Sequence, residues 1–93
     1  WEVLHYPNSS EGIKLAQVFS KEYDYASFGF PNRGLKPRSD LAILRLTKCP
    51  SIITENLFMN TEKDCRYIMS DEGRQKIANF HVDAIKKYLE GFK

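Results

Sequence analysis

Hydrophobic and polar residues alternate with two different periods in the first third of this 93-residue chain. Trp1 to Tyr6 alternates imperfectly and is rich in residues that favour β-structure, which predicts a strand. Pro7-Asn8-Ser9-Ser10 then supplies a turn and a helix N-cap. We predict a helix from about Ser10 to Ala26, because this stretch carries apolar residues at helical spacing, namely Leu15, Val18, Phe19 and Tyr23.

The middle of the chain contains two short apolar runs. Glycines and prolines make Phe28 to Ser39 loop-like, whereas Leu41 to Leu46 is mostly apolar on both faces and predicts a second strand. Ser51 to Phe58 predicts a third strand. The connector between these runs is too short for a helical crossover, so we expect the two strands to pair antiparallel or to form a local corner.

The last third of the chain predicts a long helix. Asn60 to Met69 is expected to be a loop with one helical turn, and Ser70 to be the N-cap of the final helix, with acidic residues in the first turn. One face of this helix is apolar, through Ile77, Phe80, Ala84, Ile85, Tyr88 and Leu89. The predicted order is β-α-β-β-α, a fragment of the α/β class. Its sheet is expected to be mixed, mainly parallel and flanked by helices. Three strands are few for two such helices, so we expect further strands upstream of Trp1.

Composition excludes several classes of function. The net charge of +2 is too small to indicate nucleic-acid binding, and no basic stripe with interleaved aromatic residues is present. No apolar run approaches the ~20 residues that span a membrane, and no secretory signal is visible. Cys49 and Cys65 form neither a disulfide framework nor a zinc pattern, so we expect two separate buried or half-buried thiols.

Glu55 is the most informative candidate residue, because it ends an otherwise apolar strand. A buried carboxylate without a partner costs several kcal/mol or shifts its pKa. Two interpretations follow from the residues alone. Glu55 is either a functional group gathered at a strand end, or a structural acid paired with Arg45 or Arg33.

Several segments, in order and spacing, carry a family resemblance. They are Asn32-Arg33-Gly34-Leu35-Lys36, Asp40-Leu41-Ala42-Ile43-Leu44-Arg45, Cys49-Pro50-Ser51-Ile52-Ile53-Thr54-Glu55-Asn56-Leu57-Phe58, then Asn60 and Ser70-Asp71-Glu72-Gly73-Arg74-Gln75-Lys76-Ile77-Ala78. Over nearly its whole length the chain resembles the C-terminal half of the catalytic domain of the zinc-dependent N-acetylmuramoyl-L-alanine amidases. These peptidoglycan amidases (Amidase_3-like, with a phosphorylase/hydrolase-like fold) act in cell-wall remodelling and in phage lysins. One departure is Leu57, where many members have Gly.

The resemblance implies a function for several residues. Glu55 would be the general acid/base that cuts the amide between N-acetylmuramic acid and L-alanine. Arg33, and with it Asn32, would bind the stem peptide of peptidoglycan; an equal alternative for Arg33 is to hold its own loop together. Asn60 is expected to cap its loop, and Lys36 and Arg38 to be solvated loop charges with at most a steering role.

The resemblance also implies zinc as cofactor, held by two histidines and a glutamate from the N-terminal half of the domain. We expect those ligands upstream of residues 1–93, so no metal ligand is assigned in this chain and it should be inactive alone. His5 is interpreted as a packed strand residue, and His81 as solvent-facing or half-buried. The implied location is the cell wall, periplasm or exterior of a bacterium, or a phage lysin.

Two other functions stay open at this point. The chain could be a non-catalytic amidase-like module that binds peptidoglycan or a protein partner, including the other half of its own domain. It could also be a small α/β regulatory domain, in which case Glu55 would be ion-paired and face no cleft.

Overall fold

The structure is a computed structural model that describes residues 1–57 and 61–91. Its elements are β1 (Glu2–His5), α1 (Ser10–Ala26), β2 (Leu35–Pro37), α2 (Ala42–Leu46), β3 (Ile53–Glu55), α3 (Glu62–Met69) and α4 (Asp71–Glu90). The mixed α/β class is therefore confirmed. Phe58 and Asn60, which we predicted to end a strand and to cap a loop, lie outside the described residues.

The sheet of the described residues has the strand order β2-β1-β3. β1 pairs parallel with β2 through Val3 and Leu35, and antiparallel with β3 through Glu2 and Glu55. The parallel pair is the product of the β1-α1-β2 crossover, whose helix covers the sheet. Because β3 runs against β1, its carboxyl end meets the amino end of β1.

The hydrophobic core lies where α1 and α4 pack together and α1 covers one side of β1. Its ring systems stack: the Trp1 and Tyr23 ring centroids are 4.7 Å apart, and those of Tyr23 and Phe28 are 5.0 Å apart. Phe80 of α4 meets these rings edge-on, a geometry that aromatic pairs favour. The buried core cluster comprises Trp1, Val3, Ala16, Phe19, Tyr23, Phe28, Phe80 and Ala84.

The predicted second strand was wrong. Residues 42–46 form the short helix α2, in which Leu44 is buried while Ile43 and Leu46 are exposed. The strand beside β1 is instead Leu35–Pro37, inside the segment predicted to be a loop. Pro37 is tolerated there because β2 is an edge strand.

The third strand is shorter than predicted and has a different partner. It covers only Ile53–Glu55 among the described residues, and it pairs with β1 rather than with residues 41–46. The residues of β3 are half-buried. The strand is therefore not buried on both faces, contrary to what its apolar pattern predicted. The predicted antiparallel pairing of the two apolar runs is therefore wrong, because one of the two runs is a helix.

The helix boundaries agree with the sequence-based predictions better than the strand boundaries do. Ser9 and Ser70 are the N-caps of α1 and α4, and their side chains accept hydrogen bonds from the backbone N–H groups of Gly12 and Gly73. The single helical turn expected before Ser70 is a two-turn helix, α3. On α4 the predicted apolar face is only partly covered, since Phe80 and Ala84 are buried but Ile85 and Leu89 are exposed.

Candidate functional site

Glu55 lies at the last residue of β3, directly opposite Glu2 in the antiparallel register. Because successive strand residues point to opposite faces, Glu2 and Glu55 share one face of the sheet, opposite to that of Trp1 and Val3. The face that carries Trp1 and Val3 is the core face. The two carboxyl groups are therefore brought together on the other face.

Glu55 retains a proton more readily than an ordinary glutamate. A hydrogen bond with the Glu2 side chain, partial burial and the Glu2 charge raise the pKa of Glu55 from its ordinary value of 4.5. The charges of Arg38 and Arg33 act in the opposite direction. A raised pKa brings Glu55 closer to the range in which a carboxyl group can both accept and donate a proton.

A continuous hydrogen-bond relay fixes the end of β3. The indole N–H of Trp1 donates to Asn56 Oδ1 (3.1 Å), and Asn56 Nδ2 donates to Thr54 Oγ1 (3.1 Å). Thr54 Oγ1 lies 2.9 Å from Nε2 of His81, whose Nδ1 lies 2.8 Å from the carbonyl oxygen of Ile77. A carbonyl oxygen can only accept, so Nδ1 of His81 carries the proton and the Thr54 hydroxyl donates to Nε2. The relay ties the strand that carries Glu55 to β1 and to α4.

Arg33 lies beside the amino end of β1, on the side opposite to β3. Its backbone N–H donates to the Trp1 carbonyl (2.7 Å), and its charge lowers the pKa of Glu55. Arg33 is exposed and Gly34, which follows it, has a φ of +82°, a conformation that favours glycine. The structure thus brings Arg33 and Glu55 to the same end of the sheet.

Asn32 is fully engaged in holding its loop. Its amide nitrogen lies within hydrogen-bond distance of the Ser20 carbonyl (3.2 Å), the Ser20 hydroxyl (2.9 Å) and Asp24 Oδ1 (3.0 Å). Its amide oxygen accepts from the N–H of Gly34 at 2.8 Å. These bonds anchor the Arg33 loop on α1, while substrate binding by Asn32 stays a prediction.

Neither histidine belongs to a metal-ligand cluster within the part of the chain that the structure describes. His5 is buried in β1 with Nδ1 3.2 Å from the Tyr6 carbonyl, and His81 is half-buried in the relay. Among residues 1–57 and 61–91, no group of three or more histidine, cysteine or acidic residues could hold a metal ion. The described residues therefore do not fit a zinc site by themselves.

The cysteines are both free, and one expectation about them was wrong. Cys65 is half-buried, as predicted, but Cys49 is exposed.

No helix among the described residues is long and apolar enough to cross a membrane.

Sequence reasoning missed three residues that shape this site. Glu2 was overlooked because only the strand register reveals that it faces Glu55, and no local signal does. Arg38, interpreted as a solvated charge, forms a bidentate ion pair with Asp40 and also lowers the pKa of Glu55. His81 was expected to be solvent-facing or half-buried and is half-buried, but its bonds to Thr54 and Ile77 were not predicted.

The fold and this site define an α/β domain with two facing glutamates, Glu2 and Glu55, at one end of its sheet. The family model of N-acetylmuramoyl-L-alanine amidases matches residues 2–87, nearly the whole chain. The chain therefore belongs to the N-acetylmuramoyl-L-alanine amidase family.

Individual relatives agree with this assignment. The chain is 32% identical over 62 residues to an endolysin of Bacillus phage SPP1, covering 67% of this chain and 22% of that protein. It is 45% identical over 56 residues to the N-acetylmuramoyl-L-alanine amidase Rv3717 of Mycobacterium tuberculosis, covering 60% of this chain and 23% of that protein. The chain thus spans less than a quarter of the length of these relatives.

Two solved structures have the same fold. The amidase AmiC2 of Nostoc punctiforme superimposes with a TM-score of 0.86 at 28% identity, over 96% of this chain and 47% of that one. The CwlD amidase of Clostridioides difficile, solved in complex with the GerS lipoprotein, superimposes with a TM-score of 0.89 at 26% identity, over 96% and 45%. Both matches cover less than half of the solved chain.

Proposed function

We propose that residues 1–93 are the C-terminal half of the catalytic domain of a peptidoglycan amidase, with Glu55 as its general acid/base. The substrate is the amide between the lactyl group of N-acetylmuramic acid and the L-alanine of the stem peptide. The observation that carries the proposal is the placement of Glu55 directly opposite Glu2 at the sheet end, within a chain that matches the amidase family.

Amide hydrolysis needs a proton taken from the attacking water and a proton given to the departing nitrogen. Glu55 in its ionised form accepts the first proton, and its raised pKa favours holding that proton until the amine leaves. The relay from Trp1 to His81 keeps the end of β3 in place while this happens. Arg33, exposed at the same end of the sheet, is suited to bind a stem-peptide carboxylate through its guanidinium group.

Zinc belongs to this proposal as a cofactor whose ligands lie outside the chain. When bound, the ion would polarise the scissile carbonyl and lower the pKa of a water molecule. The described residues of the chain contribute acid/base and binding groups rather than the ligand set. We therefore expect the 93 residues alone neither to hold zinc tightly nor to cleave muropeptides.

The test uses a longer protein that joins this chain to a segment with the two histidines and the glutamate implied by the family resemblance. Glu55→Gln should lower the release of stem peptide from purified peptidoglycan by at least about 100-fold, because general acid/base catalysis contributes that much. The zinc content, measured by atomic absorption, should not change.

Glu72→Gln is the matched control, since Glu72 is an exposed acid in the first turn of α4. This variant should cleave at the parent rate. Surviving turnover in Glu55→Gln would refute the acid/base role, and loss of zinc in that variant would mean that Glu55 is a ligand instead.

The alternative function is a non-catalytic module that binds peptidoglycan or a protein partner. The complex of CwlD with the GerS lipoprotein is the observation that favours it, because a structural neighbour of this chain forms a protein complex. Under this alternative the longer protein would bind peptidoglycan or a partner protein, and Glu55→Gln would leave that binding unchanged. Acting on peptidoglycan, in either role, places the protein at the cell wall or in a phage lysin.

A further inference from the structure

An open groove of about 580 Å³ lies beside the candidate site, between the loop after α1 and the helix α3. We refer to it as the aromatic groove. It is lined by Phe28, Phe30, Glu62, Lys63, Arg66 and Tyr67. None of these residues belongs to the acid/base site described above.

Aromatic side chains form the apolar part of this groove. The ring centroids of Phe30 and Tyr67 are 5.2 Å apart, and those of Phe28 and Tyr67 are 6.2 Å apart. The Tyr23 hydroxyl donates to the Phe30 carbonyl at 3.1 Å, which ties the loop to the core. The groove is therefore held by packed rings and a tertiary hydrogen bond, so little ordering would be needed on binding.

The side chains that line the aromatic groove carry a net positive charge, because one ion pair within the groove cancels and a lysine remains. Arg66 forms an ion pair with Glu62, four residues earlier on α3. Lys63 has its ammonium 4.7 Å from the centroid of the Phe30 ring and forms no ion pair within residues 1–57 and 61–91. Lys63 is thus a cation held at an apolar surface with no carboxylate partner among those residues.

The aromatic groove adjoins the end of the sheet that carries Glu55. The carbonyl oxygen of Pro31, which follows Phe30, accepts a hydrogen bond from the backbone nitrogen of Trp1 at 3.1 Å, while the Trp1 indole donates to Asn56. The loop that carries Phe30 and the end of β3 therefore meet at Trp1.

We infer that the aromatic groove binds the peptide arm of the substrate, with a stem-peptide carboxylate on Lys63 and small apolar side chains against Phe30 and Tyr67. This inference rests on the proposed function, because it takes the stem peptide as substrate. The groove is complementary to a chain that is anionic and partly apolar.

The test is a titration of the ¹⁵N-labelled 93-residue chain with the synthetic peptide acetyl-L-Ala-D-Glu-L-Lys, followed by NMR. Amide shifts should concentrate at the groove residues and give a dissociation constant. The same peptide with its carboxyl groups amidated should bind at least about threefold more weakly, as loss of a partly exposed charge pair predicts. A disaccharide of N-acetylglucosamine and N-acetylmuramic acid without peptide should leave the groove unshifted.

Two lysine variants separate the groove from a general effect of charge. Lys63→Gln should weaken peptide binding by about threefold or more, and should make amidation of the peptide irrelevant. Lys76→Gln is the matched control, because Lys76 also lies over a ring, 4.9 Å from the Phe28 centroid, but outside the groove. This control should bind the peptide as the parent chain does.

Three results would overturn the inference. They are no peptide-induced shifts at the groove, equal losses in the two lysine variants, or a disaccharide that produces the same groove shifts as the peptide. Phe30→Leu offers a further check that keeps an apolar side chain in the fold, and it should weaken binding without altering the thermal midpoint by more than a few degrees.

The inference and the proposed function can fail separately. Glu55→Gln should retain peptide binding in the NMR titration even though it abolishes cleavage in the longer protein. If turnover survived in Glu55→Gln, the peptide titration would still report on the groove. If the peptide caused no shifts at the groove residues, the turnover assay would still decide the role of Glu55.

Discussion

Glu2 is the residue that faces Glu55, the strand-end glutamate for which we propose an acid/base role. Its side chain faces Glu55 across the β1–β3 pair and raises the pKa of Glu55 by a hydrogen bond and by its charge. In the longer protein, Glu2→Gln should move the pH profile of peptidoglycan cleavage to lower pH, because a neutral amide removes the like charge. A profile that did not move would mean that Glu2 does not tune Glu55.

Asn32 contributes to the stability of the fold, independently of the substrate binding predicted for it. Asn32→Ala would leave the N–H of Gly34 and the Asp24 carboxylate without this partner, so it should lower the free energy of unfolding by about 1–2 kcal/mol. Urea denaturation measures this loss. Asn79→Ala is the control, since the exposed Asn79 side chain bonds Gln75 within the same helix, α4, and its loss should change stability little.

Leu57 has a backbone conformation that favours glycine, the residue that many family members are expected to have at this position. It adopts a φ of +71° although it is not glycine, and its side chain is buried. Such a conformation costs about 1–3 kcal/mol and persists only where the surroundings hold it. The backbone two residues after Glu55 therefore has the shape that glycine favours, and burial of the leucine offsets part of the strain.

At the scale of elements, the close approach of α3 to α4 depends on Gly73. A Cβ there would lie 2.0 Å from the Tyr67 carbonyl oxygen and 2.7 Å from the Ser70 hydroxyl that caps α4. Gly73→Ala should therefore lower the free energy of unfolding by at least about 2 kcal/mol, despite the better helix propensity of alanine. Thermal denaturation followed by circular dichroism measures it. Glu72→Ala, its exposed neighbour, should stay within about 0.5 kcal/mol, and equal effects would contradict the packing argument.

Helices were predictable from the sequence because their signals are local. The caps Ser9 and Ser70 and the apolar spacing of α1 and α4 lie within a few residues of the structure they determine. Strands were less predictable, since a short apolar run such as residues 41–46 fits either a strand or a buried helix segment. Leu35–Pro37 is a strand because β1 pairs with it. Three residues that follow Gly34 and end in a proline give no local sign of a strand.

The candidate site, like the helices, could be predicted only where the signal is local in the sequence. Glu55 and Arg33 could be selected from the sequence, because a family motif and residue chemistry identify them. Their juxtaposition could not, nor could the role of Glu2, since both depend on the antiparallel register of β3. The His81 relay likewise requires α4 to lie against β3, a tertiary arrangement that no spacing in the sequence encodes.

For the whole molecule, α1 and α4 are joined by a buried charge as well as by the core. Glu22 on α1 is only 6% exposed; its Oε1 lies 3.6 Å from the Lys87 ammonium, and its Oε2 has no hydrogen-bond partner among the described residues. Lys87→Met should destabilise the fold by about 1–2 kcal/mol by leaving this carboxylate uncompensated. Lys86→Met, an exposed neighbour, is the control in the same denaturation experiment, and an equal loss there would refute the pairing.

The pH dependence of stability should have two limbs of opposite sign. The pKa of Glu55 is raised in the folded state, so its contribution is fully present below 4.5 and is lost as pH rises through the raised value. The pKa of Asp40 is lowered from 3.8 to about 2 by its ion pair with Arg38, so that contribution is present above 3.8 and is lost as pH falls through about 2. The thermal midpoint, measured between pH 2 and pH 8, should be highest at a mildly acidic pH and should decrease on either side of it. Glu2→Gln should flatten the decrease at higher pH.

The central claim is that Glu55 is a proton carrier poised by Glu2, and the most direct measurement is the titration of its own carboxyl group. In the ¹³C-labelled 93-residue chain, the Glu55 side-chain carboxyl resonance should titrate with a midpoint above 4.5, and Glu2→Gln should lower that midpoint. A midpoint at or below 4.5 in the parent chain, or one that Glu2→Gln leaves unchanged, would contradict the account.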